Sequence, residues 1–295
     1  MKGKLNVDVP TSINDLQSMM KDFRLKDQIY KLLFRGKGLE FEGFRDYTPD
    51  DDASSIDWKT SSRVQKPLVK QYKEERDLNI MFIVDVGDNM VFGSTEKLKC
   101  EYVTEIIAAL GHLIVLSNDK VGFFLFSNVI SNYVECKTGQ NHFHFFVDVL
   151  SDGANYGGKT NLNQALDFAM DYFDNSIASV FIISDFLSVN SDTEKKLSLL
   201  SNQFETVLIQ VKDPLDITLP DVEGEVVLED AETSEQIIIN PKVAKKTYEQ
   251  YALEQDNKVQ ELFEKTKADT LSLVTSIPFA EPLALFLMQR AQKNI

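Results

Sequence analysis

The sequence predicts an α/β fold of the Rossmann-like type: a doubly wound, mostly parallel sheet with helices on both faces. Apolar runs typical of buried strands alternate with helical patterns between residues 79 and 213. The run 80–84 is followed by Asp85, and the run 179–184 is followed by Asp185. Because open α/β sheets bind ligands outside the carboxyl ends of their strands, we expect both aspartates at a binding rim.

The individual elements follow from the spacing of apolar residues. Strands are predicted at 80–84, 121–126, 129–134, 179–184 and 206–211, and helices at 95–116, 141–150, 162–173 and 193–204. Ser94 is the expected cap of the first of these helices. Outside this middle part we expect a helix at 11–34, a strand at 67–74, strands of a hairpin at 226–228 and 236–239, a long helix after Pro241, a strand at 271–274 and a helix at 279–292.

The change of pattern along the chain divides it into three parts. Residues 1–78 form an N-terminal helix and flank, residues 79–213 form the α/β domain, and residues 214–295 form a C-terminal hairpin with helices. Both flanks are expected to pack on the domain in the middle.

The charge balance limits the classes of partner. The chain has 295 residues with 31 basic and 46 acidic side chains, which gives a formal net charge of −15. This excess of negative charge argues against binding to nucleic acid or to anionic lipid surfaces. The sequence contains no apolar run of about 18 residues, so membrane insertion is not expected. Two cysteines without a Cys-x-x-Cys spacing favour a reduced, cytoplasmic protein.

Oxygen-bearing side chains are concentrated in the loops of the predicted rim. Asp85 and Asn89 follow the first strand, Thr160 precedes a helix, and Asp185 follows a later strand. Carboxylate, amide and hydroxyl oxygens from three loops are the donors that Mg²⁺ prefers. The sequence therefore predicts a candidate Mg²⁺ site, and the alternative is a metal-free fold in which Asp85 accepts hydrogen bonds from backbone amides.

This arrangement resembles a von Willebrand factor A domain, whose metal-ion-dependent adhesion site reads Asp-x-Ser-x-Ser with a Thr and an Asp on later loops. Asp85 matches the first Asp, while Gly87 and Asn89 stand where the two serines would be. Thr160 and Asp185 match the later Thr and Asp. Gly87 offers no side-chain oxygen, whereas Asn89 keeps an amide carbonyl. The resemblance therefore implies a von Willebrand factor A-like fold with a degenerate metal site.

The segment before the first domain strand carries a more specific pattern. Arg45-Asp-Tyr47-Thr-Pro-Asp-Asp51-Asp52, then Ile-Asp57-Trp58 and Arg63, resembles the signature of the domain-of-unknown-function-58 family, and the tail from Thr275 to Arg290 is similar to that family too. Asp50 stands where the family has Gly. The resemblance implies a non-enzymatic interaction module, an adaptor or partner of a MoxR-type AAA+ ATPase, in the cytoplasm. We expect it to dock through the degenerate adhesion site at Asp85, Thr160 and Asp185, with or without a metal ion.

The signature residues are expected to form a structural clasp rather than a catalytic site. Trp58 is the sole tryptophan, and we expect it to be buried against the sheet. Arg45 and Arg63 are expected to pair with nearby carboxylates, because a guanidinium fork grips a carboxylate directionally. The residues of the predicted clasp are Arg45, Tyr47, Asp51, Asp52, Asp57, Trp58 and Arg63.

One motif favours a different function. Gly153-Ala-Asn-Tyr-Gly-Gly158-Lys159-Thr160 has the spacing of a phosphate-binding loop. A working loop of that kind follows a buried strand directly, whereas residues 145–152 resemble the end of a helix. A Mg²⁺-dependent phosphohydrolase or nucleotide hydrolase at the same rim, or a purely structural scaffold subunit, therefore remain as alternatives to the interaction module.

Overall fold

The computed structural model describes residues 3–21, 39–48, 51, 55–74, 78–230, 233 and 235–292. The strands are β1 Leu39–Asp46, β2 Leu68–Glu74, β3 Asn79–Asp85, β4 Lys120–Phe126, β5 Ile130–Lys137, β6 Ile177–Ser184, β7 Glu205–Lys212, β8 Val226–Glu229, β9 Gln236–Ile239 and β10 Asp269–Val274. The helices are α1 Val9–Lys21, α2 Trp58–Val64, α3 Lys99–Leu116, α4 Gln140–Leu150, α5 Leu162–Tyr172, α6 Ser191–Gln203, α7 Pro241–Glu264 and α8 Ala280–Gln292.

A six-stranded sheet forms the centre of the molecule, in the order β10-β7-β6-β3-β4-β5. The first five strands are parallel, and β5 pairs with β4 in the antiparallel sense. The predicted doubly wound, mostly parallel sheet is confirmed. Two small antiparallel sheets, β1-β2 and β8-β9, lie outside it.

Both faces of the central sheet are buried, which explains the uninterrupted apolar run of β3. Phe82 and Val84 point into a core that also holds residues of α1, α3, α4 and α8, whereas Met81 and Ile83 point into a second core with α5, α6 and α7. Side chains alternate between the two faces of a strand, so a strand covered on both sides is apolar at every position.

Helix α3 lies at the centre of one layer and begins later than predicted. Its N-cap is Leu98, whose backbone N–H donates to the Glu101 carboxylate over 3.0 Å. Ser94 does not cap this helix, because its amide N–H and its hydroxyl donate to Asp213. Helix α1 packs on α3 and α8 and is seen over Val9–Lys21; the remainder of the predicted helix, 22–34, lies outside the described residues.

The C-terminal part of the chain completes the central sheet. Strand β10 pairs with β7 in parallel and forms an edge of the sheet. The predicted boundary at residue 213 therefore lies between β7 and β10, which are two strands of one sheet. The local sequence pattern does not show this, because strands pair through the tertiary fold. No helix within the described ranges is both long and apolar enough to cross a bilayer.

A buried ion cluster ties α8 to this edge. Arg290 donates to Asp269 of β10 over 2.8 Å and to Glu205 of β7 over 2.6 Å. The side chain of Arg290 is 3% exposed, and those of Glu205 and Asp269 are 8% and 11% exposed. Removing the arginine would leave two carboxylates close together with little access to water.

We expect Arg290→Met to lower the free energy of unfolding by about 3 kcal/mol or more, because it leaves buried charges without a partner. Urea unfolding followed by circular dichroism measures this. Arg45→Met is the matched control: it removes an arginine from an ion pair with Asp51 that lies at the surface, so its effect should be much smaller. Equal effects of the two substitutions would contradict a stabilising role for the buried cluster.

Candidate functional site

The candidate site lies where the winding of the sheet changes direction. The chain leaves β3 for β4 on one side and returns to β6 on the other, so the carboxyl ends of β3 and β6 flank a switch point. Val84 lies opposite Ile183 in the register of these strands. Asp85 and Ser184 are therefore brought side by side, with Asp185 directly after them.

Asp85 is completely buried, and its carboxylate accepts three hydrogen bonds. One carboxylate oxygen accepts from the Gly87 N–H at 2.9 Å and from the Thr160 hydroxyl at 3.1 Å. The other oxygen accepts from the Ser184 hydroxyl at 2.6 Å. Burial, reinforced by the neighbouring Asp185 carboxylate, raises the pKa of Asp85 to about 7, although these three donors act in the opposite direction.

A glycine-rich loop holds Thr160 against Asp85. Gly157 and Gly158 have φ values of +130° and +93°, which side chains disfavour. Gly157 N–H donates to the Val86 carbonyl over 2.7 Å. Asp88 bonds Gly158 twice, since its amide donates to the Gly158 carbonyl at 2.7 Å and its carboxylate accepts from the Gly158 N–H at 2.9 Å. The two glycines thus form backbone hydrogen bonds that hold the loops of the rim together, and they do not cradle a phosphate group.

Gly87 is required by the close approach of Thr160. A Cβ atom at position 87 would lie 2.0 Å from the Thr160 hydroxyl oxygen and 3.2 Å from an Asp85 carboxylate oxygen. Thr160 therefore occupies the space that a serine side chain would need at this position. The glycine in place of the expected Ser is a packing requirement of this arrangement.

The structure adds a residue that sequence reasoning missed, Lys99 at the first position of α3. Its side chain is 1% exposed, and its ammonium lies 3.2 Å from Asp185 and 3.1 Å from Asp216. Burial alone would lower the pKa of Lys99, but the two carboxylates outweigh it and hold the pKa above its ordinary value. The second oxygen of Asp185 accepts from the Leu187 N–H at 3.1 Å.

A second missed residue, Asp213, connects the cluster of Lys99, Asp185 and Asp216 to the C-terminal segment. Asp213 is fully buried at the end of β7, and its backbone N–H donates to Asp216 at 2.8 Å. Its carboxylate accepts from Ser94 and, at 3.2 Å, from the Thr275 hydroxyl. The rule that identified Asp85 and Asp185, a carboxylate after a buried strand, also applies to Asp213.

Helix α7 lies beside this cluster and limits access to it. The Tyr248 hydroxyl donates to the Leu215 carbonyl over 2.5 Å. A cavity of about 270 Å³ remains between α7 and the sheet, with Asp185, Asp216 and Tyr251 in its wall. Asp185 itself is 2% exposed.

The residues at the rim do not fit a Mg²⁺ ion in this arrangement. Within the described residues, no group of three or more His, Cys, Asp and Glu side chains is arranged to hold a metal ion. Gly87 supplies no side-chain oxygen, and the Thr160 hydroxyl donates to Asp85 directly. One oxygen of Asp185 faces the Lys99 ammonium, which would repel a cation at that position. Asn89 is half-buried in the 3₁₀ helix Asp88–Val91.

The phosphate-loop alternative fails on its structural context. The segment before Gly153 is helix α4, which ends at Leu150, and not a strand. Lys159 and Thr160 precede the N-cap of α5, Asn161, instead of lying in the first turn of the helix. A phosphate-binding loop joins a strand directly to a helix, so the spacing match is coincidental.

The structure brings together one ion pair of the predicted clasp. The Arg45 guanidinium donates to both carboxylate oxygens of Asp51, at 2.5 and 2.6 Å. Hydrogen bonding to Arg45, followed by that from Thr48, holds the pKa of Asp51 well below its ordinary value. Tyr47 is held through its backbone, which donates to the Pro67 carbonyl over 2.9 Å.

Other members of the predicted clasp lie elsewhere. Asp57 caps α2 by accepting from the Thr60 N–H at 2.9 Å, and it pairs with Lys70 at 3.3 Å instead of with an arginine. Arg63 is exposed and forms no ion pair with the part of the chain that is described. Asp52 lies outside the described residues.

The expected burial of Trp58 is wrong. Its side chain is 69% exposed at the first position of α2. The inner face of this short helix instead presents Ser61, whose hydroxyl accepts from the Leu68 N–H over 2.8 Å. An exposed tryptophan in the family signature is therefore available for contact with another molecule, and it does not stabilise the sheet.

We expect Gly87→Ala to lower the free energy of unfolding by about 2 kcal/mol, because the added methyl group collides with Thr160. In a Thr160→Ala background the same change should cost about 1 kcal/mol less, since the hydroxyl is gone. Urea unfolding of the four proteins measures this coupling. Gly43→Ala is the control, because a Cβ there meets no atom within 4 Å. If the changes in the free energy of unfolding at positions 87 and 160 simply add, the proposed steric conflict between a side chain at 87 and the Thr160 hydroxyl is contradicted.

Comparisons with known proteins concern the family and the fold of the chain. The family model described as "Protein of unknown function DUF58" matches residues 43–258. An uncharacterized protein of Mycobacterium tuberculosis is 30% identical over 203 residues, which cover 68% of this chain and 63% of that protein. The match thus spans less than two thirds of the relative's length.

Two solved structures resemble the fold. The conserved hypothetical protein BatB from Bacteroides thetaiotaomicron has a TM-score of 0.50 at 15% identity, covering 73% of this chain and 99% of that chain. The SpRpn10 VWA domain has a TM-score of 0.41 at 12% identity, covering 70% of this chain and 93% of that domain. The expected α/β fold with a doubly wound, mostly parallel sheet is confirmed. Since the family model covers well over half of the chain, this protein belongs to the DUF58 family, as the signature around Trp58 indicated.

Proposed function

We propose that this protein is a non-enzymatic interaction module that docks a protein partner on the loops at the carboxyl edge of its sheet. The observation that carries the proposal is that the side chains inside the rim are buried and held by hydrogen bonds, whereas side chains of the surrounding loops are exposed. Asp85 and Asp185 are buried and hydrogen-bonded, whereas Lys159 and Leu187 in the adjoining loops are exposed. A rim that is held rigid from below presents a preorganised surface, which lowers the entropic cost of binding.

The burial of the aspartates decides which atoms a partner would touch. Asp85 is 0% exposed and Asp185 is 2% exposed, so a partner carboxylate has no direct path to them. The contact would instead be made by loop residues 157–161 and 187–188. Lys159 would supply a charge for an acidic group, and Leu187, which is 39% exposed, would supply apolar area.

We propose a MoxR-type AAA+ ATPase in the cytoplasm as the partner. This step is supported by the family signature between Arg45 and Arg63 and by membership of the DUF58 family. The buried aspartates and the mismatch of the phosphate-loop motif favour an adaptor over a hydrolase. In this role the protein would bind the ATPase without altering a substrate chemically.

The docking surface is tested with charge and polarity changes at exposed positions. We expect Lys159→Glu and Leu187→Asp each to weaken binding of a cognate MoxR-type ATPase by about tenfold or more, measured by titration calorimetry. Lys267→Glu and Leu116→Asp are matched controls, because both residues are exposed at the opposite edge, before the amino ends of β10 and β4. Equal effects at the two edges would exclude the rim as the docking surface.

A further inference from the structure

We propose that the Lys99 ammonium takes the place of a divalent cation at the rim, so that this site is complete without a bound metal. This replacement affects only the balance of buried charge inside the protein, so it does not depend on which partner binds the rim. It explains why a chain with the matching Asp85, Thr160 and Asp185 has lost both serines of the adhesion-site pattern.

The first support is the position of the lysine. An ammonium that is 1% exposed is unstable unless carboxylates compensate for the loss of water. Lys99 has two such partners, Asp185 at 3.2 Å and Asp216 at 3.1 Å. Asp185 is the residue that corresponds to the distal ligand of the adhesion site. The lysine thus neutralises the same carboxylate that a metal ion would face.

The second support is the state of Asp85. A carboxylate has about four lone-pair sites, and three of those of Asp85 already accept hydrogen bonds from protein donors, which leaves little capacity for a metal ion. These donors are the Gly87 N–H and the hydroxyls of Thr160 and Ser184. The hydrogen bonds to Asp85 thus come from neutral groups, while the Lys99 ammonium serves Asp185.

The third support is the backbone at position 87. Restoring a serine there would place its Cβ 2.0 Å from the Thr160 hydroxyl oxygen. The missing ligand therefore cannot return while Thr160 stays in contact with Asp85. The absence of a serine at position 87 and the buried position of Lys99 therefore belong to one arrangement. In it, hydrogen bonds to Asp85 and the Lys99 ammonium take the place of bonds to a metal ion.

Removing the lysine provides the test. Without it, the buried Asp185 and the half-buried Asp216 would lose the ammonium that they share. We expect chelator-stripped Lys99→Ala to bind Mn²⁺ at least about tenfold more tightly than the wild type and to gain about 4 °C or more in unfolding temperature when Mn²⁺ is added. The wild type should show no saturable Mn²⁺ or Mg²⁺ binding up to about 10 mM and no thermal shift.

Lys196→Ala is the matched control. Lys196 also bridges two aspartates, Asp167 at 2.8 Å and Asp192 at 3.1 Å, but both carboxylates are 58% exposed and remain hydrated. This variant should therefore not respond to Mn²⁺.

Two results would overturn the proposal. One is saturable Mn²⁺ binding to the wild type that Asp185→Ala abolishes; the other is a folded Lys99→Ala without any metal response. If Lys99→Ala is unfolded without metal, recovery of its native circular dichroism with Mn²⁺ supports the proposal, and failure to recover contradicts it. None of these measurements uses a partner protein, so their outcome is independent of the docking proposal.

Discussion

The balance of buried charge at the carboxyl edge of the sheet is the constraint on which the site depends. Asp85, Asp185 and Asp213 are each almost inaccessible to water, and all three lie at the ends of parallel strands. Lys99 and a set of hydroxyl and amide donors compensate for them. Because an uncompensated buried charge costs several kcal/mol, on the order of 3–5, the loops that supply these donors are held in one conformation.

This constraint links the fold to the proposed interaction surface. Lys99 opens α3, the helix at the centre of one layer, so the charge cluster also fixes where that helix begins. The glycine loop before Thr160 is fixed by backbone bonds to Val86 and Asp88. These bonds, together with the one from the Thr160 hydroxyl to Asp85, hold the exposed loop in place, which is the property that a docking surface requires.

The sequence predicts well what depends on local pattern. The strand ends at Asp85 and Asp185 follow from apolar runs, since a buried parallel strand is apolar at every position. Lys99 carried no such signal, because a lysine at the start of a helix is usually solvated and only the packing of α3 buries it. The exposure of Trp58 does not follow from the sequence either, since residue type alone does not show which side of a short helix faces the sheet. Local pattern places Ser94 at the start of the nearest helix, although its actual acceptor, Asp213, is distant in the sequence.

The most direct test of the metal-free site is a crystal structure of the protein from crystals soaked in Mn²⁺, with anomalous data collected at the manganese edge. We expect the Lys99 ammonium between Asp185 and Asp216 and no anomalous peak beside Asp85. An anomalous peak within about 2.2 Å of Asp85 or Thr160 oxygens, with Lys99 turned away, would contradict it.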